Sequence, residues 1–255
     1  MLSPAMDFAD LHFHLLPGVD DGPADLSASL ELARAALAEG TRTVVATPHV
    51  RTDLGLTDAV EIDRRVRRLR SHLAASGLPL EVRCGGELGH DMVFLLRQWE
   101  IDLLAQGPPG GRWVLVETPF EGIREDFHAA TAELRARGFG VLVAHPERSA
   151  DAALDGSAGL RRELAAGCLA QVNARSLTGG HGDDARSAAW ALLADGLVAV
   201  VASDAHGPTR PPAMRTAYRA LIAGGLAQST AAALAAAAPR SLLARGMVRR
   251  AVAAA

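Results

Sequence analysis

The sequence predicts an α/β fold in the form of a closed barrel of about seven parallel strands. Helix-like and strand-like segments alternate, and several helices stop at a glycine that a β-branched run follows, as at Gly40, Gly138, Gly167 and Gly196. Histidines and acids also follow strand-like runs along the whole chain. Because all strands of a β/α barrel end at one rim, a barrel gathers these residues, whereas an open sheet leaves the outermost ones far apart.

The strand predictions rest on short runs rich in valine and leucine, each bounded by glycine, proline or polar residues. We expect strands near residues 8–14, 43–47, 81–86, 113–117, 140–145, 169–173 and 197–203. Ser27 to Glu39 is predicted to be a helix because Leu30, Ala33 and Leu37 fall on one face. Further helices are expected over 58–75 and in the alanine-rich tail after Ala227.

Composition narrows the class of protein. A chain of 255 residues with 49% hydrophobic residues is long enough for one large domain, which we expect to span 1–255. A formal net charge of −3 gives no basic field for binding nucleic acid or an anionic membrane. Two cysteines form no disulfide framework, the start of the chain does not look like a secretion signal, and no apolar run suits membrane insertion. A cytoplasmic location is therefore expected.

The candidate metal ligands are five histidines and four carboxylates: His12, His14, Asp21, His49, Glu87, Glu117, His145, Asp204 and His206. Strand alternation puts His12 and His14 on one face, so both imidazoles can reach one ion. Catalytic zinc usually takes three protein ligands, so nine ligands indicate a cluster of two or three ions with shared carboxylates. The mixed nitrogen and oxygen donors suit manganese, iron or zinc.

Several motifs, in order over nearly the whole chain, resemble the PHP (polymerase and histidinol phosphatase) superfamily, and within it the bacterial CpsB/YwqE-type tyrosine-protein phosphatases. They are Asp10-Leu-His-Phe-His14, Leu16-Pro-Gly-Val-Asp-Asp-Gly22, Ala46-Thr-Pro-His49, Gly85-Gly-Glu87, Ala144-His-Pro-Glu-Arg148, Gln171-Val-Asn-Ala-Arg-Ser-Leu-Thr-Gly179, Ser203-Asp-Ala-His206 and Arg210-Pro-Pro212. The resemblance implies a distorted seven-stranded TIM-like barrel with three divalent ions, manganese favoured and iron or zinc the alternatives. It also implies hydrolysis of phosphotyrosine, on a bacterial tyrosine autokinase that governs capsule or exopolysaccharide synthesis.

The resemblance also implies a role for each ligand. His12, His14, Glu87 and Asp204 resemble the set around one ion. Glu87 would bridge to a second ion, held also by Glu117 and His145. Asp21, His49 and His206 resemble the ligands of a third ion. Arg148 and Arg210 resemble phosphate-binding arginines, although the loop between His206 and Arg210 is one residue shorter than in the family, which leaves the reach of Arg210 open.

Other polar residues near the motifs have several interpretations. Asp10 is expected to fix an imidazole tautomer, Asp20 to orient its loop and Glu147 to pair with an arginine. Asn173 and Ser176 either line the pocket or serve in turns. The remaining histidines are expected to be structural: His72, His90, His128 and His181.

Three functions remain open from the sequence. The first is a protein-tyrosine phosphatase, the second a small-molecule phosphomonoesterase resembling histidinol phosphatase, and the third a metal-stabilised regulatory module without turnover. A cysteine-dependent phosphatase is excluded, because that chemistry needs an arginine six residues after the cysteine, where His90 follows Cys84 and Ala174 follows Cys168. Homo-oligomerisation is left open.

Overall fold

The strands of the structure, a computed structural model that describes residues 6–154 and 157–247, all pair in parallel. They are β1 (Phe8–Phe13), β2 (Thr41–Ala46), β3 (His49–Val50), β4 (Glu81–Cys84), β5 (Glu87–Leu88), β6 (Trp113–Glu117), β7 (Gly140–Ala144), β8 (Leu169–Asn173) and β9 (Val200–Ala202). The predicted α/β class with parallel strands is confirmed.

Helices connect the strands. They are α1 (Leu26–Ala38), α2 (Ala59–Ala75), α3 (Gln98–Leu104), α4 (Glu125–Ala136), α5 (Asp151–Leu154), α6 (Ala158–Ala165), α7 (Ala174–Leu177), α8 (Asp183–Ala194), α9 (Met214–Ala223), α10 (Gln228–Ala232) and α11 (Ala238–Arg245). Short 3-10 helices span His90–Phe94 and Pro146–Arg148, and a π-helical turn spans Ala233–Ala237. The predicted helices over 27–39 and 58–75 and in the tail are confirmed as far as the chain is described. No helix among the described residues is both long and apolar enough to cross a membrane.

Two predicted strands are each followed by a further short strand that was not predicted. The strand predicted at 43–47 is β2, and β3 begins beyond Pro48; the strand predicted at 81–86 ends at Cys84, and β5 begins beyond Gly85 and Gly86. Pro48 has no N–H for the ladder, and a Cβ at Gly85 would clash with the Val45 side chain. Strands β2 and β4 therefore form a sheet with β1, in the order β1-β2-β4. Strands β3 and β5 belong to a second sheet, in the order β3-β5-β6-β7-β8-β9.

Strand β1 lies beside the segment that follows β9. Phe13 pairs in parallel with Ala205, and the His14 N–H donates to the Ala205 carbonyl at 2.9 Å. The Asp204 N–H donates to the His12 carbonyl at 3.0 Å, and the buried Asp10 carboxylate accepts the Ser203 N–H, also at 3.0 Å. The first and last strands are thus joined, and the polar ends of the strands are brought to one rim.

The interior changes from apolar to polar along the strands. On β6, alternation puts Trp113, Leu115 and Glu117 on one side, and the first two belong to a buried cluster with Leu242 and Met247 from the last helix and the residues after it. The Trp113 indole N–H donates to the Leu242 carbonyl at 3.0 Å. The last helix and the residues after it therefore cover the apolar end of the strands, and the candidate ligands lie at the opposite, polar end.

We predict that Asp10→Ala lowers the free energy of unfolding by about 1–3 kcal/mol, because it leaves the buried Ser203 N–H without an acceptor. Asp10→Asn is the matched control. It keeps an acceptor oxygen, and because burial raises the pKa of Asp10 to about 6, losing the charge should not destabilise the fold at neutral pH. Urea unfolding checks both. Equal stability of the two variants would contradict the role given to this hydrogen bond.

Candidate metal centre

All nine predicted ligands meet at the polar rim. Eight are buried, and Asp21 is exposed at the edge. Their ligand atoms form four overlapping groups, each with all atoms within 4.8 Å of one another: His12, His14 and Glu87; His12, His145 and Asp204; His49, Glu87 and Glu117; and His14, Asp21, His49 and His206. The overlap indicates a shared cluster rather than one isolated ion site.

Two of these ligands have unusual backbone conformations. His145 follows β7 with a φ of 35°, and Asp204 follows β9 with a φ of 54°. Among the described residues only one other non-glycine residue, Ser157, has a positive φ. The left-handed region is costly for residues with a Cβ and is typically retained at functional sites, where the surrounding structure enforces it. Here it turns both side chains towards the cluster.

A chain of hydrogen bonds fixes the tautomer of His12. The Asp204 carboxylate can only accept, so Asn173 presents its amide N–H₂ to it, at 2.7 Å. The Asn173 oxygen then accepts from the Gln171 amide at 2.7 Å, which leaves the Gln171 oxygen to accept from His12 Nδ1 at 3.0 Å. His12 therefore carries its proton on Nδ1, and the lone pair of Nε2 faces the cluster.

The same logic applies to His14 and His206. His14 Nδ1 donates to the Asp20 carboxylate at 2.8 Å, and His206 Nδ1 donates to the Asp204 carbonyl at 2.9 Å. Each Nε2 is then a lone-pair donor turned inward. The Nε2 atoms of His12 and His14 lie only 3.2 Å apart, so two lone pairs face each other unless a cation lies near both.

The donor set fits divalent cations. Glu87 Oε2 lies 3.1–3.4 Å from ring nitrogens of His12, His14 and His49, yet it makes no hydrogen bond. Other buried atoms of the cluster also have no hydrogen-bond partner: His49 Nδ1, His145 Nδ1 and His206 Nε2. Buried polar atoms are nearly always satisfied, and oxygen and imidazole ligands suit divalent ions. These clusters can hold metals.

The electrostatics support the same conclusion. Burial opposes protonation of His12, but the negative charges of Glu87 and Asp204 outweigh it and raise its pKa to about 9. Burial likewise opposes protonation of His49, while Asp21 and Glu87 raise its pKa to about 11. Without metal, the carboxylates therefore favour the protonated rings of His12 and His49. Metal binding must displace those protons, so metal affinity should fall as the pH falls.

Both predicted arginines reach the cluster. Arg148 donates to Asp204 Oδ2 at 3.1 Å, and Arg210 donates to the same oxygen at 2.7 Å and to Asp21 at 3.1 Å. The short loop is closed by a hydrogen bond from the His206 N–H to the Arg210 carbonyl at 2.9 Å. The reach of Arg210, left open by the sequence, is thus explained by this turn.

Two expectations are wrong in detail. Asp10 contacts backbone N–H groups of Ser203 and His12 rather than an imidazole, because it lies between β1 and the segment after β9. Glu147 has no arginine partner among the described residues; it accepts from the Asn173 N–H and the Ser176 hydroxyl. Asp20 does more than orient its loop, because it fixes the tautomer of His14.

The four histidines expected to be structural lie outside the ligand groups. His128, for example, contacts the buried Glu163 at 2.5 Å, and His181 contacts the Ser176 hydroxyl at 3.0 Å. Both cysteines are free, and burial raises the pKa of each thiol to about 12. Neither Cys84 nor Cys168 therefore supplies a thiolate at neutral pH, in agreement with the sequence analysis.

Sequence reasoning missed two residues beside the ligands. Arg51 donates to Glu117 at 2.6 Å, and the Phe120 ring lies over the Arg148 guanidinium, 4.9 Å from it. Both lie in loops after strands, where neither periodicity nor spacing marks them. The role of Gln171 was also missed, although it and Asn173 repeat the alternation of His12 and His14 on one strand face.

Comparison with known proteins agrees with this site. Residues 8–244 match the family described as capsular polysaccharide synthesis, CpsB/CapC. Tyrosine-protein phosphatase YwqE of Bacillus subtilis is 30% identical over 203 residues, which cover 77% of this chain and 76% of that protein. Crystal structures of YwqE and of Streptococcus pneumoniae CpsB are described as those of unique metal-dependent tyrosine phosphatases. The match among them has a TM-score of 0.72 at 29% identity and covers 84% of this chain and 85% of the other.

A more distant likeness concerns the fold alone. The phosphotriesterase homology protein of Escherichia coli superposes with a TM-score of 0.61 at 14% identity, covering 93% of this chain and 98% of its own. The family match, by contrast, spans nearly all of the described residues and includes every candidate ligand. The chain belongs to the CpsB/CapC family of capsular polysaccharide synthesis proteins.

Proposed function

We propose that this protein is a metal-dependent protein-tyrosine phosphatase that acts on a bacterial tyrosine autokinase controlling capsule or exopolysaccharide synthesis. The observation that carries the proposal is the buried cluster of inward-facing imidazole lone pairs and carboxylates, with two arginines at its edge. The named activity of the relatives in this family supports the same reaction.

The fold and ion content belong to the same proposal. The chain is a single domain over 1–255, and its strands form a distorted seven-stranded barrel if β2 with β3 and β4 with β5 each count as one strand. The cluster would take three ions, with manganese favoured over iron or zinc. His12, His14, Glu87 and Asp204 would hold the first, Glu87, Glu117 and His145 the second, and Asp21, His49 and His206 the third.

The protein's own residues bind and orient the substrate. Divalent ions at such a site lower the pKa of water and neutralise phosphate oxygens. Arg148 and Arg210 both converge on Asp204 Oδ2, so their remaining N–H groups can bind phosphate oxygens beside the cluster. The leaving group of a tyrosine ester is a phenolate, whose conjugate acid has a pKa of ~10, so no dedicated general acid is assigned.

The shape of the rim favours a peptide over a small metabolite. A cavity of about 310 Å³ lies over the ligands and is lined by Arg51, Arg148 and Arg210. Cavities of about 400 Å³ and 510 Å³ flank it, and Phe120 lines all three. Neighbouring cavities of this kind can accept residues on both sides of a phosphotyrosine, whereas a small phosphomonoester fills one cavity alone.

A cytoplasmic location follows from the substrate and from the two free thiols among the described residues. No role for nucleic acid or for insertion into a membrane is proposed. A homo-oligomer stays open, and none of the catalytic roles above requires one.

The proposal is tested by phosphate release from a phosphotyrosine peptide and from histidinol phosphate, side by side, with manganese-loaded protein and a chelated control. We expect a clear preference for the peptide that is lost on chelation. Preference for histidinol phosphate would move the function to small-molecule metabolism, and release from neither would favour a regulatory module.

The ligand assignment is tested by Asp204→Ala, measured as metal content per chain and as phosphate release. We expect loss of at least one bound ion and a fall in activity of more than ~100-fold, since even residues that only orient ligands often contribute ~10–100-fold. Asp183→Ala is the matched control, because Asp183 is an exposed acid that lines none of the three cavities at the rim. Normal metal content in Asp204→Ala would refute the assignment.

A further inference from the structure

Two large apolar side chains are exposed at the mouth of the cavity over the metal centre. Leu54 is 37% exposed and Phe120 is 44% exposed, and both line the same cavity as the ligands and the arginines. The rest of that lining is charged or histidine: Asp21, His49, Arg51, Glu87, Glu117, His145, Arg148, Asp204 and Arg210. The apolar surface of this charged site thus comes from Leu54 and Phe120 alone, and both side chains stay partly exposed.

The loop that carries Leu54 is held in place by several contacts. Val50 pairs with Gly55 across the turn, and the Leu56 N–H donates to the His49 carbonyl at 3.0 Å. Gly55 has a φ of +88°, and a Cβ there would clash with the His49 backbone. Arg51 binds Asp53 through two hydrogen bonds and Glu117 through a third, which ties the loop to a ligand. Leu54 is therefore exposed on a fixed loop.

Phe120 is held on a second loop that lines the cavity, the loop after β6. The Thr118 hydroxyl donates to the Ala144 carbonyl at 2.6 Å, and the Phe120 carbonyl accepts the Ala150 N–H at 2.8 Å. The ring lies parallel to the His145 ring, with an angle of 6° and 6.2 Å between centroids, and one face covers the Arg148 guanidinium. The ring is thus positioned by a ligand and by a phosphate-binding arginine.

We infer that Leu54 and Phe120 form an apolar clamp for the aromatic ring of the phosphate ester. The inference rests on the proposed function, because it takes the phosphoryl group to lie against the cluster and its two arginines. The group attached to the ester oxygen must then leave through the mouth. A flat phenyl ring can bury its faces against Leu54 and Phe120, while the short alkyl arm of a phosphoserine offers little apolar area. The clamp therefore selects aryl esters.

Two phosphonates separate the ring from the phosphoryl group and are not hydrolysed. Phenylphosphonate carries both parts, and methylphosphonate carries the phosphoryl-like part alone. Their dissociation constants are measured with the manganese-loaded full chain, unchanged and with Leu54→Ala, a substitution at an exposed position that should not disturb folding. We expect Leu54→Ala to weaken phenylphosphonate by ~3-fold or more and methylphosphonate by less than about 2-fold, as loss of a modest apolar contact implies.

Phe120→Ala is the second variant. Because its ring also orders Arg148, both phosphonates should weaken, and the loss should be larger for phenylphosphonate. Leu95→Ala is the matched control, since Leu95 is an exposed leucine that does not line the cavity, and it should change neither constant. Equal losses for the two phosphonates in both variants, or no loss in either, would overturn the clamp.

This result is independent of turnover. If the unchanged protein releases no phosphate from a phosphotyrosine peptide but still shows the ring-dependent losses, the clamp stands and the phosphatase proposal fails. If the peptide is hydrolysed and the phosphonates show no ring dependence, the phosphatase proposal stands and the clamp fails.

Discussion

The structure depends on one electrostatic constraint, the burial of carboxylates against the lone pairs of imidazoles. The Nδ1–H groups of three histidines donate hydrogen bonds: His12 to Gln171, His14 to Asp20 and His206 to the Asp204 carbonyl. Their three Nε2 atoms therefore face the same region as Glu87 and Asp204. Such an arrangement is repulsive unless protons or metal ions supply positive charge. The carboxylates raise the pKa of His12 and of His49, which is the same preference for positive charge acting on protons.

The fold places its apolar core and its buried ligands at opposite ends of the strands. Apolar residues such as Leu115, together with the last helix, fill one end of the interior, and the ligands lie where the strands finish. His145 and Asp204 accept left-handed backbone angles to aim inward, and Asp10 joins the first strand to the last. The unfavourable backbone angles and the buried charges thus lie together at the rim, and the packed apolar core stabilises the rest of the fold.

Much of this could be predicted from the sequence, because strand alternation and the positions of ligands after apolar runs are local patterns. His12 and His14 on one strand face are the clearest example. The short strands β3 and β5 were missed because each has only two residues, which is too few to give a strand pattern in the sequence. Asp10 and Glu147 were misassigned for a different reason: their partners, Ser203 and Asn173, are distant in sequence and donate through the backbone, which no residue pattern reveals.

The central claim is that cations complete the buried cluster and that several share it. The most direct measurement is the anomalous diffraction of a manganese-loaded crystal, collected on both sides of the manganese absorption edge. We expect three manganese peaks within the cluster, with Glu87 contacting two of them. A fully loaded crystal with fewer peaks there, or with its peaks elsewhere in the molecule, would contradict the account.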